Sequence, residues 1–208
     1  LPLTRSLELD ATTKALDKDS GGVIGAAIKA GDFSGRSGET LMLHSAGEAA
    51  RVLLLGIGEA TPDRATLRKA LETMARSVLG SKAADALLYL GDMKLVKADL
   101  EWFGVTAARE LTYQSYRYTE TVSSPKAAPA LKRFAVAASD AAMARSLRAA
   151  LDRGAKIGDG INLARNLANL PGNHCTPEDL AKAARRLARG SDKASCKVLN
   201  EKAMAELG

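Results

Sequence analysis

Residues 162–181 (NLARNLANLPGNHCTPEDLA) constrain the fold of this chain more than any other stretch. Pro171 cannot continue a helix, because it has no N–H for the ladder and its ring clashes with the preceding turn. Upstream, Met143, Leu147, Ala150, Leu151, Gly154, Ile157, Ile161, Ala164 and Ala168 recur at spacings of three and four, one stripe of a long helix beginning at Ser139-Asp140. Unbroken to Ala168, that helix runs roughly 43 Å at ~1.5 Å per residue. Gly154, Gly158 and Gly160 each cost about 1 kcal/mol relative to alanine inside it, so they predict close backbone packing or a bend. Downstream, Thr176 is placed to cap a new helix, Pro177 takes its first position, and Asp179 completes a box-like start. The junction therefore predicts a connector helix followed by a second unit.

The segment before the connector alternates between two periodicities. Residues 21–30 (GGVIGAAIKA) predict a short helix, broken by the glycines at 31, 35 and 38. Residues 39–44 and 51–55 predict strands, and the continuous apolar run Val52-Leu53-Leu54-Leu55 suits a strand buried on both faces. Gly56-Ile57-Gly58 is expected to end that strand as a tight turn. Thr61-Pro62-Asp63 opens a helix whose apolar face is Leu67, Leu71, Met74, Val78 and Leu79, closed by Gly80. Residues 86–90 and 131–137 predict two further strands, with a helix over 102–118 and a surface turn around Pro125 and Pro129 between them. Strands alternating with helices predict a mostly parallel sheet covered by helices. After Pro171 come a helix with Leu180, Ala184 and Leu187 as its apolar face, a short strand over 196–199, and another helix from Glu201. No internal repeat or low-complexity tract is present.

Composition narrows the class. Hydrophobic residues make up 46% and charged residues 26%, ordinary for a soluble globular chain, while aromatics at only 4% favour helix packing over an all-β core. The net charge of +6 admits an acidic partner. The densest basic run, Lys182, Arg185, Arg186 and Arg189, falls inside one helix and reads first as a solvated face. Cys175 and Cys196 form no Cys-x-x-Cys pair and read as free thiols of a reducing compartment. No apolar run approaches the ~18 residues of a membrane span, and residues 1–5 carry no secretory pattern.

The chemistry-bearing residues are sparse. Gly56-Ile57-Gly58 lacks the third glycine of a dinucleotide loop, since Thr61 stands there. His44 has no ligand-spaced partner. His174 and Cys175 are adjacent, but zinc sites take three or four protein ligands. A Cys-His nucleophile pair also needs an orienting third group. Asp152 and Asp159 share a helix face and read as a solvated pair. The residues alone describe an α/β domain with a long connector helix and no self-evident catalytic constellation.

Several ordered motifs add to this. Residues 31–35 (GDFSG) before a strand, residues 51–58 (RVLLLGIG), the Arg165-Asn166-Leu167 to Leu170-Pro171, Asn173 and Thr176-Pro177 junction, and residues 197–208 (KVLNEKAMAELG) come in one order. Together they resemble the leucyl aminopeptidase (cytosol aminopeptidase) family over most of residues 20–208. Asn166 and Leu170 stand where that family often has Asp and Glu, and residues 1–10 offer no clear match to its first strand. The resemblance implies a macro-domain-like N-terminal α/β domain over residues 1–138, a connector helix over 139–170, and the beginning of a catalytic α/β domain over 171–208.

It also implies a parent enzyme that removes N-terminal residues, leucine favoured, with two divalent ions (manganese, zinc or magnesium) activating water. A peptide substrate, a cytoplasmic homo-hexamer, no membrane, and in some bacterial relatives DNA binding belong to the same expectation. The family's catalytic and metal-ligating motifs do not occur among these residues. The resemblance therefore assigns no catalytic, cofactor-binding or metal-ligating residue here, and the 208-residue chain alone is expected to be inactive, serving assembly and active-site access. Two other functions remain open: a stand-alone macro-like nucleotide-binding module using the turns at Gly35 and Gly56, and a DNA-binding accessory domain using Arg185, Arg186 and Arg189.

Overall fold

The computed structural model describes residues 1–91, 93 and 97–208. The chain forms two compact units, one of residues 1–117 and 126–162, the other of residues 118–125 and 163–208.

The first unit is a mixed α/β body. Its elements are β1 (Pro2–Thr4), α1 (Ala11–Asp19), α2 (Val23–Ala30), β2 (Thr40–His44), β3 (Arg51–Gly58), α3 (Arg64–Gly80), β4 (Asp85–Leu88), α4 (Lys97–Ser115), β5 (Arg133–Val136) and most of α5 (Ala141–Asn169). One sheet has the order β1-β3-β2, with β1 parallel and β2 antiparallel to β3. A second sheet is the parallel pair β4-β5. Two of the three pairings are parallel, in keeping with the mostly parallel α/β class.

The apolar run of β3 is buried on both faces, which is why it does not alternate. Val52 and Leu54 pack on Leu3, Ile24 and Phe33. Leu55 and Ile57 pack on the α3 face made by Ala70, Leu71, Met74 and Val78, together with Phe103, Ala107 and Leu111 of α4. Asp63 caps α3 by accepting from the Thr66 N–H at 2.8 Å.

The long helix is unbroken through its glycines, and two of the three mark close packing. A Cβ on Gly154 would lie 2.2 Å from the Val105 carbonyl oxygen, and one on Gly158 would lie 2.5 Å from the Thr112 Cβ. The backbones of α4 and α5 meet there, and the Asn162 side-chain amide donates to the Thr112 carbonyl at 2.8 Å. Gly160 has nothing nearby. The buried line of α5 is Leu147, Ala150, Gly154 and Gly158, while Ile157 is exposed. The predicted stripe holds at Leu147, Ala150 and Gly154 and moves from Ile157 to Gly158, where α4 approaches too closely for any side chain larger than hydrogen.

Three other expectations are corrected, and one helix is added to them. Residues 1–10 do hold a strand, β1, too short for a periodic signal and recruited by β3. The helix α1 carries no strong apolar stripe and was not foreseen. Gly56-Ile57-Gly58 does not turn away from β3 but continues it to Gly58. Residues 196–199 form no strand, because no strand among the described residues pairs with them.

In the second unit, α6 (Pro177–Arg189) and α7 (Glu201–Ala205) have no buried residue. Leu180 and Leu187 carry the predicted apolar spacing of α6 yet stay exposed. Spacing made that face amphipathic, but only a second surface can bury it. Among the described residues no helix is long and apolar enough to cross a membrane.

Candidate functional site

The glycine turns are filled by the protein itself. Ser34 donates its N–H at 3.2 Å and its hydroxyl at 2.8 Å to the Glu39 carboxylate, and Arg36 donates its N–H at 3.0 Å. Successive backbone N–H groups of this kind can cradle a phosphate, but here an internal carboxylate takes them. Burial raises the Glu39 pKa, the bonds from Ser34 and Arg36 outweigh that, and the carboxyl lies below its usual range. Gly35 has φ +70°, and a Cβ there would lie 2.2 Å from the Thr4 carbonyl oxygen. A Cβ on Gly56 would lie 2.0 Å from the Arg36 carbonyl oxygen. Both glycines let the 34–38 loop lie flat on β3, with Gly58 N–H donating to Gly35 and Gly38 N–H to Gly56. Their role is packing.

The imidazoles and thiols are dispersed. His44 ends β2 opposite Arg51 and is exposed. His174 is exposed in the turn after Pro171, where its N–H and that of Cys175 donate to the Pro171 carbonyl at 2.8 and 3.0 Å. Cys175 and Cys196 are free and half-buried. Asp152 and Asp159 are both exposed. Among the described residues no three His, Cys, Asp or Glu side chains form a group that could hold a metal ion.

The junction after Pro171 is built as its residues demand. Thr176 and Asp179 form a capping box: Asp179 N–H donates to Thr176 Oγ1 at 3.4 Å, and Thr176 N–H donates to Asp179 Oδ2 at 3.2 Å. Hydrogen bonds from Thr176, then from Lys182, bring the Asp179 carboxyl down to about 2. Lys182, Arg185, Arg186 and Arg189 lie at positions i, i+3, i+4 and i+7 of α6, all exposed along one face.

Sequence reasoning missed one feature of the first unit. A crevice of about 840 Å³ opens between β3 and β4, lined by Leu1, Arg51, Leu53, Asp85, Leu87 and Phe134 among others. Leu87 is 67% exposed there, the most exposed large apolar residue among the described residues of this unit. Asp85 and Arg133 bridge the β4-β5 pair at its rim, Nε to Oδ1 at 2.6 Å. The only local sign was an apolar residue on the polar side of β4.

The family profile of the cytosol aminopeptidase family, N-terminal domain, matches residues 1–125. The chain is 38% identical over 204 residues to a "Probable cytosol aminopeptidase" of Alkalilimnicola ehrlichii, covering 96% of this chain and 41% of that protein. It is 36% identical to the protein of the same name from Azotobacter vinelandii, covering 97% of this chain and 41% of that one. The fold matches a mutant of tomato leucine aminopeptidase with TM-score 0.78 at 20% identity, over 98% of this chain and 41% of that one. It also matches the bottromycin maturation enzyme BotP in complex with Mn, with TM-score 0.68 at 29% identity, over 88% of this chain and 37% of that one. The chain belongs to the cytosol aminopeptidase family, whose N-terminal domain it contains. It spans about two fifths of the length of these relatives.

Proposed function

We propose that this chain is the N-terminal portion of a metal-dependent leucyl aminopeptidase that removes N-terminal residues, leucine favoured, from peptides. The alignment with cytosol aminopeptidases along nearly the whole chain, set against two fifths of theirs, carries this reading. Residues 1–138 act as a macro-like domain, 139–170 as the connector and 171–208 as the start of the catalytic domain. The chain's own role is assembly, as part of a cytoplasmic homo-hexamer, and shaping access to the active site.

The family implies two divalent ions, manganese, zinc or magnesium, and the BotP neighbour carries Mn. No group of described residues here suits even one such ion, so no metal-dependent step is assigned to this chain. On this reading the metal ligands are supplied by the part of the enzyme that corresponds to the three fifths of the relatives this chain does not align with.

The test is hydrolysis of a leucyl amide by the purified 208-residue chain with added manganese. No turnover is expected. Turnover that follows the protein through purification would overturn the assignment of chemistry to the rest of the enzyme.

A further inference from the structure

We draw no further inference here: the strongest candidate, the exposed apolar face of α6 that carries Leu180 and Leu187, is an unpartnered helix face, and nothing in the structure shows what covers it.

Discussion

Glu39 shows how one side chain settles a functional question. Its carboxylate collects the N–H groups that make a glycine-rich turn attractive to phosphate, so the turn is a closed structural unit. Glu39→Ala is expected to cost about 1–2 kcal/mol in urea denaturation, the scale of losing hydrogen bonds to a partly screened charge. Because its carboxyl lies below the usual range, its contribution is present above about pH 4.5 and is lost as pH falls through the lower folded value. The acid limb of the stability curve should therefore flatten in Glu39→Gln. Asp179 obeys the same sign: its cap holds down to about pH 2, below the ordinary carboxylate value, and Asp179→Asn should remove that part of the pH dependence of α6 helicity. Asp179 was legible from sequence as the box residue of the Thr176 cap, whereas Glu39 was not, since it acts through neighbours three to five residues away whose N–H directions depend on the local turn.

At the scale of elements, α5 separates what glycine does by position. Gly154→Ala places a methyl group against the Val105 carbonyl and is expected to destabilise by about 1–3 kcal/mol, the range of overpacking. Gly160→Ala meets open space and should stabilise by about 0.5–1 kcal/mol, through helix propensity alone. Thermal or urea melts of the two variants should move in opposite directions, and like signs would contradict the α4-α5 contact. The capping box of α6 was legible in full, because Thr176, Pro177 and Asp179 act within one turn. Thr176→Ala should lower α6 helicity by the equivalent of about 1 kcal/mol, read by amide exchange along the helix. The apolar face of α6 was legible as a spacing only; its exposure was not.

For the whole molecule, burial is uneven. Both apolar clusters belong to the first unit, while α6 and α7 bury nothing. Local stability follows buried contacts. Amides of β3 and α3 should therefore exchange at the global rate and those of α6 much faster, and uniform exchange would contradict this division. The proposed enzymatic role sits at this scale too. Membership of the family rests on order and similarity along the chain, not on any catalytic group within it. That is why the sequence pointed to a class of enzyme while its residues offered no reacting centre.

What the sequence determined by itself is local: the helices α2, α3, α5 and α6, their caps, the break at Pro171 and the two-faced burial of β3. These follow from periodicity, proline and side-chain capping, all of which act within a few residues. Tertiary structure decided the rest. It recruited residues 2–4 as a strand, kept Gly56 within β3, left residues 196–199 unpaired, and opened the crevice beside Leu53 and Leu87. A strand exists only where another backbone supplies its hydrogen bonds, and those partners lie up to about fifty residues away, beyond the reach of any local pattern.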